Sequence, residues 1–205
     1  MFKKYLEKID GIGKNKVAYY FKLKLKKSPK LKILHLSDLH FNKDEKKKIA
    51  IAEYDKYLKN QKFDLILISG DIVDFNITEF TKEYVDFLKN LKAKKGKYYV
   101  FGNHDYYTKR TDKIEQKMKK AGFVNLNNKE KNLNKIKLIG IDDYNYGEKR
   151  DWTFTKDKFT IGMCHNLDSV DNFSNFDLVL SGHLHEGEIN LGIIDGVTKL
   201  FLRSG

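Results

Sequence analysis

Five short apolar runs in this chain each stop at a polar cluster of aspartate, histidine or asparagine, and that arrangement restricts the fold more than any other feature. Leu34-His35-Leu36 leads into Ser37-Asp38-Leu39-His40. Leu65-Ile66-Leu67-Ile68 leads into Gly70-Asp71-Ile72-Val73-Asp74, and Tyr98-Tyr99-Val100-Phe101 into Gly102-Asn103-His104-Asp105. Ile161-Gly162-Met163-Cys164 precedes His165-Asn166, and Leu178-Val179-Leu180 runs toward Gly182-His183-Leu184-His185. Short apolar runs bounded by turn residues are buried-strand patterns. Between the first three lie helical patterns: residues 45–59, with Ile49, Ala52, Tyr54, Tyr57 and Leu58, and a segment capped by Thr78 with Phe80, Tyr84, Phe87, Leu88 and Leu91 on one stripe. Residues 111–121 read as a third helix, ended by Gly122. Alternating strands and helices imply parallel pairing covered by helices, an α/β fold.

After Gly122 the pattern becomes β-rich. Residues 124–126, 131–133 and 136–141 read as strands of a meander with a tight turn at Asn134-Lys135. Further strands are expected at 159–163, 177–180, 189–193 and 199–202. A two-sheet core flanked by helices accommodates both halves. At the other end, Phe21-Lys22-Leu23-Lys24-Leu25 alternates apolar and basic residues, as a half-exposed edge strand does, before Pro29 breaks it. The expected organisation is a basic arm with an edge strand over residues 1–30 and a single domain over 31–205.

Charge is uneven. The formal net charge is +12, but residues 1–32 hold eleven lysines against Glu7 and Asp10, a net of +9, which leaves about +3 for the remainder. The excess is a local arm rather than a basic groove, so nucleic acid is not favoured as a partner, while an anionic membrane surface suits such an arm. No apolar run reaches the roughly 18 residues that span a bilayer, and no signal-peptide pattern follows Met1. The single cysteine, Cys164, excludes an intramolecular disulfide and fits a reducing compartment. The expectation is a cytoplasmic protein, with peripheral membrane contact through the lysines.

Ligands of open α/β sheets bind beyond the carboxyl ends of the strands, so five clusters at five strand ends converge on one rim. Asp, His and Asn are oxygen and imidazole donors suited to borderline divalent metals. Glycine before Asp71, Asn103 and His183 permits the sharp turn that aims the next side chain. With His104 set aside, Asp38, His40, Asp71, Asn103, His165, His183 and His185 give seven donors, a count that suits two ions sharing a carboxylate better than one. Such a pair acidifies water and neutralises a phosphoryl group, which is the chemistry of phosphoester hydrolysis without a nucleophilic side chain.

In order and spacing, Asp38-x-His40, Gly70-Asp71-x-x-Asp74, Gly102-Asn103-His104-Asp105, His165 and Gly182-His183-x-His185 resemble the calcineurin-like metallophosphoesterases, and the flanking residues are similar to their bacterial phosphodiesterase branch. The resemblance implies a four-layer α/β/β/α sandwich of two mixed sheets. It implies two divalent metals, Mn²⁺ first with Fe or Zn as alternatives. Asp38, His40, Asp71 and His185 would hold one ion, and Asp71, Asn103, His165 and His183 the other, with Asp71 shared. His104 would face the phosphate and protonate the leaving oxygen, Asp74 would orient His104, and Asp105 would support the ligands from behind. Where relatives carry Gly-Gly-Gln after the last histidine motif, this chain has Glu186-Gly187-Glu188.

The implied substrate is a phosphodiester or pyrophosphate. A metal-dependent nuclease, or a catalytically silent scaffold of the same fold, are the other readings. Outside the clusters, His35 and Cys164 read as packing residues. Asp142 and Asp143 read as rim residues, Tyr106 and Tyr107 as rings able to stack on a base or sugar, Arg150 as a solvated arginine and Trp152 as packing.

Overall fold

The computed structural model describes residues 6–12, 16–21, 29–150, 157–171, 173–183, 193–194 and 197–201 of the 205-residue chain. Strands β1 (Leu6–Ile12) and β2 (Lys16–Phe21) pair with each other antiparallel, Leu6 opposite Phe21, in a sheet of their own. Of the edge strand expected at 21–25, only Phe21 is described, as the last residue of β2. Residues 22–28 lie outside the described residues.

The first large sheet is built by three helical crossovers. β3 (Ile33–Leu36), α1 (Glu45–Leu58), β4 (Lys62–Phe63) and β5 (Leu65–Ser69) come first. α2 (Lys82–Asn90), β6 (Lys92–Ala93), β7 (Lys97–Val100), α3 (Asn103–Tyr107), α4 (Thr111–Lys120) and β8 (Val124–Asn125) follow. The sheet order is β3-β5-β7-β8, and every pairing is parallel. Among the described residues this sheet is therefore parallel, where a mixed one was expected. Each strand after β3 is reached through a helix, and a crossover of that length returns the chain in the same direction. The sheet order also corrects residues 124–126, which join this sheet beside β7 rather than opening a meander.

Local signals explain most boundaries. Asp44 caps α1 by accepting from the Lys46 N–H. Ile49 is 60% exposed, and Ala50, Ile51 and Leu58 carry the buried face instead. Thr78 does not start the second helix. Asn76 accepts from the Thr78 N–H to cap a 3₁₀ turn at Ile77–Glu79, and α2 begins only after Thr81. At its far end the Lys97 ammonium donates to the Leu88 carbonyl at 2.8 Å, satisfying an acceptor of the last turn. Gly122, at φ +81°, terminates α4 as expected.

The second sheet comprises β9 (Lys129–Leu133), β10 (Ile136–Gly140), β11 (Phe159–Met163), β12 (Leu178–Ser181), β13 (Ile193–Ile194) and β14 (Val197–Phe201), in the order β13-β14-β12-β11-β10-β9. It is mixed: β10, β11, β12 and β14 are parallel neighbours, while β9 and β13 are antiparallel edges. The β9–β10 hairpin turns at Asn134, φ +52°.

Strand alternation distributes the side chains between layers. Ile66, Ile68, Tyr99 and Phe101 face α1, α2 and α4, packing with Leu58, Leu88, Ile114 and Met118. Leu65, Leu67, Tyr98 and Val100 face the second sheet, packing with Leu138, Ile161, Met163 and Leu180. The outer face of that sheet, with Ile139, Val179 and Cys164, is covered among the described residues by Val170 and Phe176, beside 3₁₀ turns at Leu167–Ser169 and Phe173–Asn175. At some 25 cal/mol per Å² of apolar surface, these interleaved faces dominate the stability and fix the two sheets against each other.

Candidate metal centre

The first two ligand loops are laced together by backbone. Beyond β3 and β5 the chain continues parallel pairing: Asp38 N–H donates to the Gly70 carbonyl at 3.1 Å, His40 N–H to Asp71 at 2.9 Å and Phe41 N–H to Ile72 at 2.9 Å. Phe41 stacks on Tyr84, centroids 4.2 Å apart, and the Tyr84 hydroxyl donates to the Asn42 carbonyl, which clamps the first loop onto α2. Asp38, His40, Asp71 and His183 all adopt positive φ, between +42° and +75°. Left-handed backbone costs a non-glycine residue of order 1 kcal/mol, and its concentration here is a property of the site.

The glycines work differently from expectation. Gly70 does supply a left-handed turn, at φ +86°. Gly102 has extended backbone, φ −113°, and is required for space: a Cβ there would press on the Asp71 carboxylate and come within 2.8 Å of the His165 ring.

Asp105, wholly buried, ties the second and third loops. Its Oδ1 accepts from the Ile72 and Val73 N–H groups, each at 3.0 Å, and its Oδ2 from the Gly102 N–H at 3.0 Å. Burial and then the charge of Asp71 push its pKa up to about 7, against those backbone donors.

Four donor atoms from loops that follow strands of both sheets converge: Asp71 Oδ2, Asn103 Oδ1, His165 Nε2 and His183 Nδ1. His165 Nε2 lies 3.2 Å from Asp71 Oδ2 and 3.1 Å from Asn103 Oδ1. His183 Nδ1 lies 3.1 Å from Asn103 Oδ1 and 3.3 Å from His165 Nε2. Donors bonded to one ion at about 2.0–2.2 Å stand about 3.0–3.6 Å from their neighbours in tetrahedral or octahedral shells, so the spacing fits a shared cation. The hydrogen bonding agrees. His165 Nδ1 donates to the Ser69 carbonyl at 2.8 Å, which leaves Nε2 as the lone-pair nitrogen of the neutral ring. Asp71 Oδ2, buried, accepts no directed hydrogen bond. Burial disfavours a charged His165, but Asp71 and then Asp38 hold its pKa up at about 9. Burial likewise opposes ionisation of Asp71, and His165, the His104 N–H and His40 outweigh it, so its pKa falls below the usual carboxylate range. A proton on His165 thus stands where a cation would.

Asp38 completes a cluster with Asp71 and His165 in which ligand atoms lie within 4.8 Å of one another, and its Oδ1 accepts from the His183 N–H at 3.1 Å. His40 sits between two carboxylates, with Nε2 3.6 Å from Asp71 Oδ2 and Nδ1 3.6 Å from Asp74 Oδ1. His104 Nδ1 contacts the Asp74 carbonyl at 3.0 Å and its Oδ1 at 3.1 Å. Both partners are acceptors, so Nδ1 carries the proton and Nε2 is the reactive nitrogen. Of the nine residues read from the sequence, eight are brought together on the rim. The ninth, His185, lies outside the described residues, as do Glu186, Glu188 and Trp152. Asp74 does more than the sequence suggests, since it forms a cation-sized cluster with both His40 and His104.

Several contributors carry little or no sequence signal. Ser69 holds His165 through its carbonyl, and its hydroxyl meets His35 Nε2 at 2.7 Å. Burial lowers the His35 pKa to about 4, keeping that ring neutral, and raises the Cys164 thiol to about 12, so both are packing residues. Asp142 and Asp143 are spent on structure: Asp142 accepts from the Tyr106 hydroxyl at 2.6 Å and the Glu148 N–H, and Asp143 from the Asn145 and Tyr146 N–H groups. Arg150 donates to the Asn128 carbonyl. Phe75, next to Asp74, is exposed against His104 with ring centroids 4.7 Å apart; the signal was an apolar residue directly following a ligand cluster.

Comparison with known proteins agrees with this geometry. The family model described as calcineurin-like phosphoesterase matches residues 31–187. The chain is 32% identical over 174 residues to the uncharacterised metallophosphoesterase YkoQ of Bacillus subtilis, covering 78% of this chain and 63% of that protein. It is 35% identical over 172 residues to an uncharacterised metallophosphoesterase of Helicobacter pylori J99, covering 78% and 45%. It is 28% identical over 172 residues to the phosphodiesterase YaeI of Escherichia coli K12, covering 80% and 63%. The chain thus spans 45–63% of the length of these relatives. No helix among the described residues is long and apolar enough to cross a membrane.

Proposed function

Because the chain belongs to the calcineurin-like phosphoesterase family, we propose that it hydrolyses a phosphodiester or pyrophosphate bond with two divalent cations bound on the rim. The observation that carries this reading is the convergence of Asp71, Asn103, His165 and His183, at 3.1–3.3 Å between neighbouring donor atoms, beside the His104–Asp74 pair. In this reading Asp38, His40, Asp71 and His185 would hold one ion, and Asp71, Asn103, His165 and His183 would hold the other. When bound, the ions supply charge neutralisation of the phosphoryl group and acidification of water. Mn²⁺ is our first choice, with Fe or Zn as alternatives for a mixed imidazole and oxygen donor set.

The chain's own residues do the rest. Water adds its oxygen to phosphorus and releases one proton to solvent, the P–O bond to the leaving group breaks, and the leaving oxygen takes a proton from Nε2 of His104 in its imidazolium form, which solvent then reprotonates. Asp74 holds Nδ1 and so fixes which nitrogen delivers that proton. Phe41, Tyr84 and Asp105 keep the loops from moving as charge develops.

The test is hydrolysis of bis(p-nitrophenyl) phosphate beside the monoester p-nitrophenyl phosphate. The protein is stripped and refilled with Mn²⁺, and Asp71→Asn serves as control. Metal-dependent turnover of the diester, lost in the control, supports the reading. Two bound ions per chain with no turnover of either ester would reject it.

A further inference from the structure

Three exposed aromatic side chains gather beside His104. Phe75 is 61% exposed, Tyr146 49% and Tyr107 41%. Exposed rings scattered singly are ordinary. These come from three separate segments and touch one another. Tyr107 lies 5.2 Å from the His104 ring and 5.1 Å from Tyr146, centroid to centroid, and the two tyrosine hydroxyls are 3.3 Å apart. Phe75 and Tyr107 are within 8° of parallel, 6.3 Å apart, and Phe75 packs against His104 itself. Tyr106 is different: its hydroxyl is turned to Asp142, so of the two neighbouring tyrosines only Tyr107 belongs to this group.

The cluster is continuous with the metal centre, because His104 contacts Asp74 on one side and Phe75 and Tyr107 on the other. Two nearly parallel π faces select a flat group, since a ring stacked on one is held parallel to the other. The tyrosine hydroxyls add polar atoms at the edge, which a flexible acyl chain would desolvate without compensation and a heteroaromatic ring satisfies. Resting on the phosphoesterase reading, we propose that Phe75, Tyr107 and Tyr146 form a stacking subsite for the nucleobase of a phosphodiester whose phosphorus lies at the metal centre.

The experiment measures binding of adenosine 5′-monophosphate and ribose 5-phosphate to the Mn²⁺-loaded protein by calorimetry. The two ligands share the phosphate and the sugar and differ in the base. Base stacking on aromatic side chains predicts a preference of about tenfold for the nucleotide. Combined Phe75→Leu and Tyr107→Leu should bring the ratio to about one, and Phe75→Trp should keep it. Equal affinities in the unaltered protein, a preference that survives the double substitution, or binding of neither ligand would overturn the subsite. Turnover of bis(p-nitrophenyl) phosphate separates the two readings. Turnover without a base preference removes the subsite alone, and a base preference without turnover removes the hydrolase reading while the stacking site stands.

Discussion

The backbone N–H of His104 donates to Asp71 Oδ1 at 2.9 Å, so the proposed proton donor and the proposed shared ligand are held in one frame by main chain rather than by side chain. Removing the imidazole leaves that hydrogen bond in place. His104→Ala should therefore lower kcat on bis(p-nitrophenyl) phosphate by about 10²- to 10⁴-fold while metal content per chain, measured by mass spectrometry of the metals, stays unchanged. Parallel loss of metal would reject the role assigned to His104.

Asp71→Asn should show the opposite pattern. It takes a charge from the atom that His165 and His40 both approach, at 3.2 and 3.6 Å, so metal content should fall along with turnover. Stripping the unaltered protein with a chelator should mimic this. The proposed ligands follow strands of both sheets, so refilling at a hundredfold excess over Kd should restore about 2.7 kcal/mol of stability, read as a rise in Tm.

Asp105→Ala would leave three buried N–H groups, those of Ile72, Val73 and Gly102, without an acceptor. At roughly 1–3 kcal/mol for each unsatisfied group, the loss should exceed about 3 kcal/mol in urea unfolding. A loss below 1 kcal/mol would mean that these hydrogen bonds contribute little.

His35 gives a pH signature. Its folded pKa, about 4, lies below the ordinary histidine value because burial disfavours the charged ring. The unfolded chain then binds the extra proton first as pH falls, so stability is full above about pH 6.5 and declines toward pH 4, by roughly 3 kcal/mol in all. His35→Phe should flatten that part of the curve. An equal slope in the substituted protein would place the acid sensitivity elsewhere.

Much of the site was legible because buried strands announce themselves as apolar runs and the ligands begin where those runs stop. Asp38, Asp71, Asn103 and His165 could be read for that reason, as could the helix ended by Gly122. What could not be read depends on main chain or on distant partners. The Ser69 carbonyl that orients His165 has no side-chain signal, since any residue offers a carbonyl. The start of α3 at Asn103 was hidden because its first turn consists of ligand residues. Ile49 misled because an apolar residue at helical spacing carries no label for which of two adjacent faces is buried. Residues 124–126 carry no mark of their sheet, because two apolar residues around an asparagine do not specify which neighbour they pair with; the crossover through α4 decides it.

The positive φ angles at Asp38, His40, Asp71 and His183 set stability against chemistry in this protein. Glycine at any of the four would relax the backbone, and it would remove a proposed ligand. A library selected only for survival of heat should accordingly accumulate changes at positions 38, 40, 71 and 183, and the most durable variants should be the inert ones.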